Sequence, residues 1–92
     1  MIKVLIIEDE IPAQRLLKET LQEIDIKTEV IGCLNSIKSA VDWFQNNPHP
    51  DIVLLDIQLS DGLSFEIFKQ VKVESTIIFT TAFDEYAIQA FK

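Results

Sequence analysis

Hydrophobic and polar positions alternate in blocks along the 92 residues. Ile2–Ile7 is a nearly continuous apolar run rich in β-branched side chains, too short for an ordinary helix and suited to a strand covered on both faces. After Glu8-Asp9-Glu10, Pro12 fits the first turn of a helix, and Ala13, Leu16, Leu17, Leu21 and Ile24 follow at three-and-four spacing, predicting a stripe that faces a core. Residues 28–33 are β-branched but begin polar and contain Gly32, which predicts a strand at a sheet edge. Asn35 or Ser36 caps a second helix whose inner side carries Ile37, Ala40, Val41 and Phe44, and Asn46-Asn47-Pro48 stops it.

Residues 51–56 hold a second doubly buried strand, Ile52-Val53-Leu54-Leu55, which ends in a carboxylate where its apolar pattern calls for another aliphatic residue. Leu63, Ile67, Phe68 and Val71 predict a third helical stripe, residues 76–80 a fourth strand, and Tyr86, Ala87, Ala90 and Phe91 the start of a last helix. Strict alternation of strands with helices implies βαβ crossovers, a parallel sheet and helices on both of its faces. A flavodoxin-like, doubly wound order of 2-1-3-4 places the first strand beside the third at the reversal of strand order, where ligands bind beyond the carboxyl ends of the strands.

Composition narrows the chemistry. Eight Lys and Arg against fifteen Asp and Glu leave a net charge of −7, which argues against a nucleic-acid backbone as this chain's own partner. The single cysteine, Cys33, permits no internal disulfide and fits a reducing compartment, and no run is long enough to span a bilayer, so a cytoplasmic location is expected. His49, between Pro48 and Pro50, reads as an exposed loop residue, Cys33 as packing, and Trp43 as lying across a partly exposed surface.

Glu8 and Asp9 follow the first strand and Asp56 closes the third, so the predicted sheet order brings their carboxylates into one acidic pocket. Two such charges about 4 Å apart repel by on the order of 4 kcal/mol at an effective dielectric near 20, a cost that a cation relieves. All the donors are hard oxygens and they are few, which favours Mg²⁺ retaining several waters, with Mn²⁺ as a substitute. A carboxylate beside Mg²⁺ either ligates passively or attacks phosphorus, and the residues alone leave both open. Thr80 and Thr81, ending the fourth strand beside Asp56, offer hydroxyls to a phosphoryl oxygen and favour phosphate chemistry. Simpler readings stand beside these: a solvated helix entrance for Asp9 and Glu10, a loop cap for Asp56, and a strand-end hydroxyl bonded to backbone for Thr81.

Val4-Leu5-Ile6-Ile7-Glu8-Asp9-Glu10, Ile52-Val53-Leu54-Leu55-Asp56 and Ile78-Phe79-Thr80-Thr81-Ala82, in this order and each at the end of a predicted strand, resemble the receiver domains of two-component response regulators. Asp56-Ile57-Gln58-Leu59 and the segment from Thr80 to Ala87 are most similar to receivers that precede a LytTR-type (LytR/AlgR) DNA-binding domain. The resemblance implies Asp56 as phosphoacceptor, Asp9 and Asp56 as direct Mg²⁺ ligands, Glu8 acting through water and Gln58 lending its backbone carbonyl. It implies Thr81 as the switch hydroxyl that closes on the phosphoryl group, with Ala82 leaving room for that group to enter. A histidine kinase or phosphotransfer protein would be the donor, and DNA would be met only through a separate C-terminal domain of the parent. A phosphoryl acceptor of this kind is not a turnover enzyme.

Receivers continue through a fifth strand ending in a Lys and a fifth helix; here the chain stops at Lys92, which belongs to the expected last helix and does not supply that ammonium. Residues 1–92 are therefore expected to be one receiver domain incomplete at its C-terminus, with weakened phosphotransfer. Self-association as a homodimer through the apolar fourth strand or the last helix is also expected. Ser60 stands where the family usually has Pro, which predicts a more mobile loop after Asp56. Two rival functions remain. A phosphorylation-independent interaction module would keep the fold and rely on docking, and a Mg²⁺-dependent phosphohydrolase would need a second carboxylate two residues after Asp56, where Gln58 stands.

Overall fold

A computed structural model of the chain describes residues 1–24 and 26–80; Thr81, Ala82, the expected last helix and Lys92 lie outside them. The elements run β1 (Ile2–Ile7), α1 (Ile11–Glu23), β2 (Thr28–Leu34), α2 (Ile37–Asn46), β3 (Ile52–Leu55), β4 (Gln58–Leu59), β5 (Gly62–Leu63), α3 (Phe65–Gln70) and β6 (Thr76–Phe79). Four strands form a parallel sheet in the order β2-β1-β3-β6. This is the flavodoxin-like arrangement expected from the alternation of strands and helices, with β6 as its fourth strand.

The two apolar runs form central strands because both of their faces are covered. Leu5 and Ile7 of β1 and Val53 and Leu55 of β3 point to one side, where they pack with Ile37, Ala40, Val41 and Phe44 of α2 and Ile67 of α3. Val4, Ile6 and Leu54 point to the other, against Leu17 and Leu21 of α1. Burying each of these aliphatic side chains contributes roughly 1.5–3 kcal/mol, so the centre of the sheet dominates the stability of the fold. At the β1–β2 seam the register slips by one residue, from Val4 opposite Val30 to Leu5 opposite Gly32. A Cβ on Gly32 would lie 3.0 Å from Leu5 Cδ1, so a side chain there would fit only if Leu5 shifted.

Three expectations need correction. No residue of α1 is fully buried: Ala13, Leu17 and Leu21 are half-buried, but Leu16 is 62% exposed and Ile24, beyond the helix end, is also exposed. A helical stripe predicts direction, whereas depth depends on what packs opposite it. The third stripe is shorter than its periodicity suggests, because Leu63 belongs to a strand and Phe68 is exposed. Ile67 of the stripe is buried as expected, and Phe65 meets Phe79 edge to face with ring centroids 5.7 Å apart. Finally, the alternation is interrupted by a two-stranded antiparallel hairpin, β4–β5, directly after Asp56.

His49 is not a free loop residue. Its Nδ1 accepts from the Glu74 backbone N–H at 3.3 Å, its Nε2 lies 3.3 Å from the Phe44 carbonyl, and its ring meets Phe44 edge to face. Among the described residues no helix is long and apolar enough to cross a membrane.

Candidate functional site

The register of the sheet builds the site. Ile7 pairs with Leu55 and Leu55 with Phe79, so the residues that follow them, Glu8, Asp56 and Thr80, emerge side by side at the carboxyl edge. Backbone hydrogen bonds hold each of the three tips: Glu8 N–H donates to Leu34 O at 2.9 Å, Asp56 N–H to Ile7 O at 3.0 Å, and Thr80 N–H to Leu55 O at 3.1 Å. Side chains placed here are constrained by the ladder and not by a floppy loop, which gives the site its rigidity.

Glu8, Asp9 and Asp56 each bring a carboxylate oxygen to within 4.8 Å of the others. Glu8 is only 5% exposed, while Asp56 is half-buried. Burial pushes the Glu8 carboxyl up to about 8, reinforced by a hydrogen bond to the Asp56 side chain and by the charges of Asp56 and Asp9, and opposed by the Glu10 N–H. That N–H donates to Glu8 Oε1 at 3.4 Å. Three oxygen donors crowded this closely, one of them stabilised as the neutral acid, form a set that a hard divalent cation such as Mg²⁺ fits and compensates.

A cleft of about 290 Å³ opens beside the acids, lined by Glu8, Glu10, Ala13, Leu16, Leu17, Asp56 and Thr80. One wall is therefore acidic and the other is the apolar start of α1. Gln14 anchors the turn between them, its Nε2 donating to Glu8 O at 2.6 Å. Sequence reasoning passed over Gln14, although its position one turn into α1 on the side of Ala13 and Leu17 was the available signal. Glu10 occupies the N-cap of α1 without a side-chain cap bond, as its reading as a helix-entrance residue anticipates.

The other expected residues fall as follows. Gln58 begins β4, two residues beyond Asp56, and pairs with Leu63. Thr80, expected at the end of the fourth strand beside Asp56, lines the cleft with it. Thr81 and Ala82 lie outside the described residues. Asp61 has no assigned role in the sequence reading. Its carboxylate accepts from the N–H groups of Ile37, at 2.7 Å, and Lys38, at 3.2 Å, which holds its pKa below the usual carboxylate value. The loop after Asp56 is thus moored, against the expectation of a looser connection, and Ser60 Oγ adds a 3.2 Å bond to Asn35 O.

Comparison with known proteins agrees with this geometry. The chain is 43% identical over 95 residues to the sensory transduction protein LytT of Bacillus anthracis, with 100% of the chain and 38% of that protein covered. It is 40% identical over 95 residues to the transcriptional regulatory protein BtsR of Escherichia coli (strain K12), with the same coverage of 100% and 38%. The chain thus spans about 38% of the length of these curated relatives. The crystal structure of the response regulatory domain of protein mrkE from Klebsiella pneumoniae superposes with a TM-score of 0.76 at 33% identity, covering 97% of this chain and 74% of that one. The family model described as the response regulator receiver domain matches residues 4–92, and on that match and those relatives the chain belongs to the response regulator receiver family.

Proposed function

We propose that the chain is a phosphoryl-accepting switch in which Asp56 is the nucleophile, the acceptor of a phosphoryl group from a histidine kinase or phosphotransfer protein in the cytoplasm. The observation that carries this reading is the convergence of Glu8, Asp9 and Asp56 oxygens within 4.8 Å at adjacent strand tips. Asp9 and Asp56 would hold Mg²⁺ directly, Glu8 through water, and Gln58 through its backbone carbonyl. Bound there, the ion supplies charge neutralisation for the incoming phosphoryl oxygens.

The chain's own contribution is positioning. An Asp56 oxygen attacks phosphorus, and the new O–P bond forms as the P–N bond to the donor imidazole breaks, a carboxylate nucleophile needing no general base. Loss of the group by hydrolysis returns the acceptor, so the chain is changed by the reaction and does not turn substrate over. Thr81 closes on the phosphoryl oxygen, with Ala82 leaving it room, and the face around β6 then changes its partner contacts. Ile78 is 45% exposed on that strand, which supports self-association as a homodimer through this side. The likeness to LytT and BtsR, the latter named a transcriptional regulatory protein, supports a longer parent that controls transcription through a LytTR-type DNA-binding domain.

The test is intact-mass measurement after exposure to a small acyl phosphate. A slow, Mg²⁺-dependent gain of one phosphoryl group that Asp56→Ala abolishes is expected. An equal gain by Asp56→Ala, or none in either protein, would leave docking without phosphorylation as the better account.

A further inference from the structure

The hairpin that follows the phosphoacceptor is fastened to a different part of the molecule. Helix α2 opens with four backbone donors that its own turns cannot satisfy, the N–H groups of Ser36, Ile37, Lys38 and Ser39. Ser36 and Ser39 satisfy two of them reciprocally, Ser39 N–H donating to Ser36 Oγ at 3.1 Å and Ser36 N–H to Ser39 Oγ at 3.2 Å. The other two, Ile37 N–H and Lys38 N–H, are taken by the carboxylate of Asp61, 24 and 23 residues away in sequence, at 2.7 and 3.2 Å. One carboxylate thus closes the helix start and pins the turn of the β4–β5 hairpin to it.

Two further features tighten the same junction. Ser60 Oγ donates to Asn35 O at 3.2 Å, immediately before the helix. Gly62 has φ of 139°, open to glycine, and a Cβ there would stand 3.2 Å from Ile37 Cδ1, so the turn lies directly on the first helical side chain. Within the hairpin, Leu59 pairs with Gly62 and Gln58 with Leu63, which transmits the position of the turn back to the residue two places after Asp56. The opposite end is also held, by Ser64 N–H donating to Ile57 O at 2.8 Å.

We infer that Asp61 is a positioning residue for the metal site: by mooring the hairpin turn to the start of α2, it holds the Gln58 backbone where its carbonyl serves the cation bound by Asp9 and Asp56. This rests on the metal-binding reading given above. Asp61 touches neither the cation nor the phosphoryl group, and acts through the β4–β5 ladder alone. Partners that orient metal ligands in this indirect way characteristically change affinity by about tenfold or more when removed.

The test separates mooring from helix capping. Mg²⁺ binding to the chain is measured by calorimetry, and Mn²⁺ binding by electron paramagnetic resonance, for the parent sequence, Asp61→Ala, Asp61→Asn and Ser36→Ala. Ser36→Ala removes a cap from the same helix but leaves the hairpin moored. Asp61→Ala is expected to weaken Mg²⁺ and Mn²⁺ binding about tenfold, and Asp61→Asn, which keeps one acceptor oxygen, by less. Ser36→Ala should lower the melting temperature as Asp61→Ala does yet leave metal affinity unchanged. Equal affinity in Asp61→Ala and the parent sequence overturns the inference, as does equal weakening in Asp61→Ala and Ser36→Ala. If Asp61→Ala does not fold, Asp61→Asn against Ser36→Ala decides by the same comparison. Absence of Mg²⁺ and Mn²⁺ binding by the parent sequence overturns the site reading itself, and the inference with it.

Discussion

The Glu8 carboxyl and the Asp56 side chain share a hydrogen bond across the tips of β1 and β3, so without a cation a proton occupies the junction between the two acids. The raised value of about 8 for Glu8, against an ordinary 4.5, turns this proton into a dependence of stability on pH. Protonation is favoured in the folded state, so the group's contribution is complete below about 4.5, is lost as pH rises toward about 8, and is gone above it. In chelator, the chain should melt at lower temperature at about pH 9 than at about pH 5, and Glu8→Gln, which cannot ionise, should remove most of that slope. Thermal melts followed by circular dichroism test this; parallel slopes in both proteins would refute it.

Metal should reverse the sign. Because an ion held by these acids would displace the proton on Glu8, raising pH through the same window should increase Mg²⁺ affinity, with proton release on binding that varies with buffer ionisation enthalpy in calorimetry. Removing Mg²⁺ at about pH 9 should therefore cost more melting temperature than removing it at about pH 5.

On the proposed metal-binding reading, Asp9→Ala removes a direct ligand and a like charge together. Mg²⁺ affinity should fall by at least tenfold, about 1.4 kcal/mol, while the metal-free chain becomes no less stable because one repulsion has gone. A calorimetric titration beside a metal-free melt reads both quantities. A large loss of metal-free stability would instead support a purely structural role at the entrance of α1.

The shallow seat of α1 sets how much its side chains contribute to stability. Leu5→Ala, at a fully buried position, should cost about 2–5 kcal/mol in urea denaturation. Leu16→Ala should stay within about 0.5 kcal/mol, since that side chain is 62% exposed. Comparable losses at the two positions would contradict the packing described for α1.

His49 links the end of α2 to the segment before β6. Since Nδ1 accepts from Glu74 N–H, the neutral ring carries its proton on Nε2, which donates to Phe44 O. His49→Ala should cost about 1–3 kcal/mol by leaving these partners unmade. His49→Asn should recover part of the loss if its amide reaches Phe44 O. A neutral alanine variant in urea denaturation would return His49 to the status of a loop residue.

Much of this protein was determined locally. The apolar runs of β1 and β3 and the carboxylates that end them, together with the capped stripe of α2, are legible because strand and helix periodicities act over a few residues. Their alternation then implies a parallel sheet with the first and third strands adjacent, which is why the grouping of Glu8, Asp9 and Asp56 could be read before any coordinates. What only the tertiary structure decided depends on registers and depths that no short window contains. It set the burial of Glu8, which makes that residue the protonated member of the cluster, and the shallow seat of α1, where Leu16 meets solvent. It also brought Asp61 across 24 residues to the start of α2. Amphipathic pattern states which way a side chain points, but the distance to its partner, and hence its charge state and its work, is settled by the packing of elements far apart in the chain.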